Sequence, residues 1–240
     1  MSTLFVVRHG QASFFEDDYD RLSELGREQS RLLGTYWAAR DVLFDQVISG
    51  PRLRQRDTAQ LVGEAYQSAG KAWPEPRVME HFDEYQAEAV MTAALPMLLE
   101  TNPQVRRLHE KLQATEGSAA IHRAFQRVYE VVIAMWARDE LDLPDVERFA
   151  PFCERVHQGI EQLVASSADG GQRIALFTSG GPAGIVMQRA LGTSDLKALQ
   201  IAWMVRNGSF SEFLFSGQRF TLSAFNSLPH LDESRLLTYR

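Results

Sequence analysis

Two kinds of block alternate along this 240-residue chain. In one, a short apolar run stops abruptly on polar residues. In the other, apolar side chains recur every three or four positions. Leu4-Phe5-Val6-Val7 followed by Arg8-His9-Gly10 is of the first kind, the pattern of a strand buried on both faces that delivers polar groups at its C-terminal end. Ser23 then stands where its hydroxyl can cap a helix carrying Leu32, Leu33, Tyr36 and Trp37 at helical spacing. Residues 44–49 read as a second strand ending in Gly50-Pro51, and residues 54–65 as a helix with Ala59, Leu61 and Val62 on its inner side. Later, residues 173–177 form a buried strand, and Thr178-Ser179-Gly180-Gly181-Pro182 turns into a helix over 183–191. Residues 210–215 and 219–224 are two more strand candidates.

Between about 74 and 152 the strand signals stop. Helical spacing is found over 91–99 and over 119–138, the second aligning Ile121, Phe125, Val128, Val132 and Met135. Pro96, Pro103, Pro144 and Pro151 punctuate the region, and a further helix over 152–166 carries Val156, Ile160 and Val164 on one face. Chain on both sides of this region supplies the sheet. The expectation is therefore one domain over 1–240 with a helical insertion at about 86–150. Strands alternating with helices predict an α/β fold with a mostly parallel sheet.

Composition narrows the classes without naming a function. Hydrophobic residues make up 45% of the chain, enough for a sizeable core, which excludes a disordered or fibrous protein. Lys and Arg total 25 against 31 Asp and Glu, a net charge of −6, which argues against general nucleic-acid binding. No run approaches the roughly 20 apolar residues of a membrane helix, and the N-terminus lacks the basic start of a signal peptide. Cys153 is the single cysteine, so no internal disulfide forms, and no Cys/His cluster has zinc spacing. The expectation is a cytoplasmic protein that needs no metal or other cofactor and has no nucleic-acid or membrane partner. Nothing in the sequence speaks to its oligomeric state.

In open α/β sheets ligands bind beyond the carboxyl ends of the strands. Three strand candidates end there in polar groups: Arg8-His9-Gly10, Ser49-Gly50-Pro51 with Arg54 soon after, and Thr178-Ser179-Gly180-Gly181. Arginine forks match phosphate oxygens, and the opening amides of a helix add donors and a favourable dipole. Two arginines and a helix start converging on a histidine describe an anion site with a nucleophile or base inside it.

These residues resemble the signature of the histidine phosphatase superfamily, the phosphoglycerate-mutase-like proteins. The resemblance runs through Val6-Val7-Arg8-His9-Gly10-Gln11, Leu22-Ser23-Glu24-Leu25-Gly26, Ser49-Gly50-Pro51-Arg52-Leu53-Arg54 with Thr58-Ala59, the strand-turn-helix at 174–191, and the ending Phe225 to Leu231. It implies a three-layer α/β/α sandwich with a helical cap, and a metal-independent phosphomonoesterase. By the same resemblance His9 is the nucleophile that becomes phosphohistidine, and Arg8 and Arg54 hold the phosphoryl oxygens. A Glu or Asp after the second strand-helix unit serves as general acid. Glu80, Asp83 and Glu84 are available; Glu84 best fits the hydrophobic-x-Glu-aromatic pattern, and Glu80 is the alternative register.

One position departs from the pattern. The family carries a second histidine in a Thr/Ser-His-Gly-Gly turn, where this chain has Ser179. A hydroxyl donates one hydrogen bond but brings no charge, so Ser179 and Gly180 are expected to bind phosphate while turnover slows. His230 is a conceivable substitute, though a structural role suits it better. The substrate is then a small phosphate ester or a phosphoprotein. Two alternatives stand beside the phosphatase: a degenerate member that binds phosphorylated ligands or a protein partner without turnover, and a phosphoglycerate-type mutase.

Overall fold

The computed structural model describes residues 1–13, 20–167 and 171–239. In chain order it contains β1 (Ser2–Arg8), α1 (Glu24–Ala38), β2 (Gln46–Ser49), α2 (Leu53–Ser68), β3 (Arg77–Val78), α3 (Ala87–Thr101), α4 (Pro103–Gln113), α5 (Ser118–Ala137), α6 (Phe149–Ala165), β4 (Arg173–Thr178), α7 (Gly180–Leu191), α8 (Asp195–Met204), β5 (Phe210–Ser216) and β6 (Arg219–Ser227). The chain divides into two compact units, Met1–Glu84 with Arg155–Arg240, and Tyr85–Glu154.

The first unit is a three-layer α/β/α sandwich. Its sheet has the order β3-β2-β4-β1-β5-β6. β1 runs parallel to β4, β4 to β2 and β2 to β3, while β5 runs against both its neighbours. The central strands are apolar throughout because helices cover both faces. On one face Phe5, Val7, Val47, Ala175 and Phe177 pack with Leu33 and Trp37 of α1 and Ala59, Val62 and Tyr66 of α2. The residues between them, Leu4, Val6, Ile174 and Leu176, are equally buried on the other side. Ser23 caps α1, accepting a hydrogen bond from the Gly26 amide.

The second unit is helical. Val128, Tyr129, Val132, Ile133 and Trp136 form the buried stripe of α5, and Tyr85 stacks on Trp136 with ring centroids 5.2 Å apart. Ile121 was expected on that stripe and is instead exposed. Two turns before Val128, Ile121 lies on the same side of α5, but the buried row begins only at Val128, and the first turn that carries Ile121 is left uncovered.

The expected absence of strands between 74 and 152 is corrected by β3. This edge strand pairs with β2 through two residues, Arg77 and Val78, whose side chains are exposed. Backbone pairing alone defines it, so no hydrophobic period announces it. Nor do the prolines all break helices. Pro96 lies inside α3, and Pro103 opens α4, where its missing N–H costs nothing. α8 carries no strong apolar stripe and escaped the sequence reading.

Candidate functional site

Parallel pairing sets three strand ends side by side. The His9 amide donates to the Thr178 carbonyl at 2.9 Å, and the Gly50 amide to the Phe177 carbonyl at 2.9 Å. Residues 9, 50 and 179 thus leave the sheet together, with α2 and α7 starting just beyond them. The turn after His9 lies directly on the first turn of α1. A Cβ on Gly10 would stand 2.3 Å from the Gly26 carbonyl oxygen, and one on Gly26 2.1 Å from that of Gln11. Gly10 also donates its amide to Thr58 Oγ1 at 3.1 Å, and Thr58 donates its hydroxyl to the Arg54 carbonyl at 2.7 Å. The sequence pattern Thr58-Ala59 therefore has a physical meaning: the threonine ties α2 to the histidine turn.

His9 is 4% exposed. Its Nδ1 lies 2.7 Å from the Gly10 carbonyl oxygen. A carbonyl accepts only, so Nδ1 carries the proton and Nε2 keeps its lone pair. Arg54 Nε donates to that Nε2 at 3.1 Å. Burial, and after it the positive charges of Arg54 and Arg8, hold the His9 pKa well below the ordinary histidine value. The imidazole is neutral, with a fixed tautomer.

The two arginines reach the site from different elements. Arg8, the last residue of β1, donates to the Val205 carbonyl, and its guanidinium carbon lies 3.9 Å from where a Gly180 Cβ would stand. Arg54, in the first turn of α2, is buried and forms a 2.6 Å ion pair with Asp20. The other Asp20 oxygen accepts the Leu53 amide at 2.9 Å, so one carboxylate caps α2 and grips its arginine. The sequence reading missed Asp20. It follows the Glu-Asp-Asp-Tyr run, where an acid signals nothing about a helix thirty residues away.

Ser179 is fully buried and accepts a hydrogen bond from Gln55 Nε2 at 2.7 Å. Gln55 was also missed, since a glutamine beside a signature arginine carries no pattern of its own. Glu84 presents both carboxylate oxygens to the Gly181 amide, each at 3.1 Å, at the N-terminus of α7 where a negative charge is favoured. Its neighbour Asp83 is held by Arg52 through contacts of 2.5 and 3.2 Å. The Glu80 side chain is exposed. The structure thus gathers Arg8, His9, Arg54, Ser179, Gly180 and Glu84 at one end of the sheet, and Glu80 is not among them. The helix-opening amides are not all open to an anion, because Gly181 donates to Glu84.

His230 packs among rings, 6.3 Å from Phe210 and 6.0 Å from Tyr36 between centroids. Burial lowers its pKa to about 4. Among the described residues no three His, Cys, Asp or Glu side chains group so as to hold a metal ion, and no helix is long and apolar enough to cross a membrane.

The ends of three parallel strands thus surround a neutral histidine and two arginines in an α/β fold. The chain belongs to the histidine phosphatase superfamily (branch 1), whose sequence model matches residues 4–132 and 104–228. No curated protein matches the sequence. Among solved structures, YhfR of Bacillus stearothermophilus is similar with a TM-score of 0.64 and 16% identity, over 97% of this chain and 100% of that one. A phosphoserine phosphatase mutant from Entamoeba histolytica, in complex with phosphoserine, gives 0.63 at 17% identity over 96% and 100%. Phosphoglycerate mutase from Bacillus anthracis gives 0.61 at 18% identity over 96% and 95%. At these identities the likeness concerns the fold.

Proposed function

We propose that the protein hydrolyses phosphate monoesters through a phosphohistidine on His9. The carrying observation is the state of His9: Nδ1 locked on the Gly10 carbonyl, and Nε2 neutral beside the Arg54 guanidinium. In the first step Nε2 attacks phosphorus, the N–P bond forms as the ester P–O bond breaks, and Glu84 in its acid form gives its proton to the leaving oxygen. In the second, water attacks phosphorus, Glu84 takes back a proton, and the N–P bond breaks to release phosphate and neutral His9. Arg8 and Arg54 neutralise the equatorial oxygens in both steps, which is most of what in-line phosphoryl transfer asks of a protein. This charge supply is the basis for proposing that turnover needs no added metal.

Ser179 stands, on this reading, where the family's second histidine would be, and it gives the site a neutral donor in place of a cation. Loss of one charge-assisted donor costs about 10²–10³ in rate, so turnover on generic esters is slow. The same feature favours a second reading, a member that binds phosphorylated ligands without turning them over.

The test is a panel of phosphomonoesters run on wild type and His9→Ala, with and without chelator, and with acid quench to trap acid-labile, base-stable phosphoenzyme. Wild-type turnover that survives chelation and vanishes in His9→Ala supports the hydrolase. Tight phosphate binding with no turnover supports the binding protein. Full activity in His9→Ala refutes the mechanism.

A further inference from the structure

Gln55 is the third residue of α2, immediately after Arg54, and like Ser179 it is fully buried. Each polar atom of its amide has a partner. Oε1 accepts the Arg52 backbone N–H at 3.1 Å, closing the start of α2. Nε2 faces Ser179 Oγ at 2.7 Å and the Phe82 carbonyl at 3.3 Å. Those partners fix which end of the amide is which. Turned over, the amide would set its oxygen against the Phe82 carbonyl and its NH2 against the Arg52 N–H, losing both contacts. Gln55 therefore donates to Ser179, and Ser179 accepts.

A hydroxyl that accepts from a fixed donor still has one proton to give. Among the described residues no group takes the Ser179 proton, and a buried donor without an acceptor is costly. Ser179 follows Thr178, whose carbonyl accepts the His9 amide, so residue 179 leaves the sheet at the strand end adjoining that of His9. Adjacent residues of one helix thus address adjacent strand ends: Arg54 donates to His9 and Gln55 to Ser179. Gly50 belongs to the same arrangement. A Cβ there would stand 2.2 Å from Gln55 Oε1 and 2.5 Å from the Phe82 carbonyl oxygen, so a serine in this position would expel the glutamine.

We propose that Gln55 is a positioning residue that holds Ser179 as a hydrogen-bond donor to the transferring phosphoryl group. The inference rests on the phosphoryl-transfer reading above and adds a residue outside the family signature to it. Gly50, Gln55 and Ser179 form one interdependent set, a neutral answer to the charge that a histidine would bring.

A double-mutant cycle on an aryl phosphate, with orthovanadate affinity in parallel, tests it. Ser179→Ala lowers kcat by about 10²-fold with little change in KM, and Gln55→Leu lowers it by about 10–100-fold. Because Gln55 acts through Ser179, the double variant is no slower than Ser179→Ala alone. Gln55→Glu separates this role from the cap. Its carboxylate still accepts the Arg52 amide but also accepts the Ser179 proton, so kcat falls and vanadate binding weakens although α2 remains capped. It also serves if Gln55→Leu does not fold.

Losses that multiply in the double variant, or a Gln55→Glu protein with wild-type kcat and vanadate affinity, overturn the proposal. If wild type binds vanadate but turns over no ester, the enzyme reading fails while the same cycle, read on affinity, still decides the role of Gln55. If neither wild type nor the variants bind vanadate, both readings fall.

Discussion

Arg54 Nε donates to His9 Nε2 at 3.1 Å, so the cation rests on the very lone pair that would attack phosphorus. An incoming phosphoryl group resolves the competition, because its oxygens are stronger acceptors for a guanidinium than a neutral imidazole is. Arg54 then moves from the nucleophile to the electrophile, while Asp20 keeps hold of its other end through a 2.6 Å ion pair.

That geometry predicts different outcomes for two substitutions. Arg54→Lys keeps the charge, so the low His9 pKa is retained, but a single ammonium nitrogen does not reproduce the planar fork whose Nε and Nη1 reach His9 and Asp20 separately; kcat/KM falls by about 10–100-fold. Arg54→Gln removes a cation that lowers the His9 pKa. His9 then titrates at higher pH, and the acid limb of the pH–rate profile moves up with it. Kinetics over a pH series, with NMR titration of His9, checks both. An unmoved acid limb in Arg54→Gln would show that the limb belongs to another group.

Glu84→Gln leaves an oxygen to accept the Gly181 amide, so folding should change little. It removes the transferable proton. Alkyl phosphates, whose leaving oxygen needs protonation, should lose about 10²–10⁴-fold in kcat, and aryl phosphates with good leaving groups far less. The measurement is the ratio of the two losses. Equal losses would assign Glu84 to positioning α7 instead.

From the sequence alone, Ser179→His should raise turnover by restoring a charged donor. The buried contact between Gln55 and Ser179 changes that expectation. Ser179 is fully buried against Gln55, so an imidazole added there is overpacked at a cost of about 1–3 kcal/mol. Ser179→His by itself should melt earlier and gain little. Combined with Gln55→Ala, which clears the space, it should gain about 10²-fold or more in kcat. Melting curves and kcat of the three proteins decide this.

His230 governs part of the acid stability. Its pKa is about 4 in the folded protein against 6.5 ordinarily, because burial among aromatic rings disfavours the charged form. Below pH 6.5 the unfolded chain takes up a proton that the folded one refuses. Stability is therefore full above about 6.5 and is lost as the pH falls toward 4, by about 3 kcal/mol. His230→Phe should flatten that part of the dependence, measured by denaturant unfolding between pH 7 and 4. A residual slope of the same sign is expected from His9, whose pKa is also lowered by burial.

The sheet's central strands were legible because burial on both faces leaves an apolar run that ends where the chemistry begins: Leu4 to Val7 before His9, Ile174 to Phe177 before Ser179. The order Arg8, His9, Arg54 was legible too, since parallel strands bring their carboxyl ends together whatever lies between. What the sequence could not decide was pairing across distance. Asp20 reaches Arg54, Glu84 rather than Glu80 reaches the Gly181 amide, and Gln55 reaches Ser179. Each of these contacts joins residues 34 to 124 positions apart, and such contacts have no period. The edge strand β3 escaped for the same reason, being defined by backbone pairing with β2 and not by its exposed side chains. Hydrophobic burial is additive and repeats along an element, so it is written in the sequence pattern. Hydrogen bonds that orient a site depend on single distances and directions, and tertiary structure alone sets those.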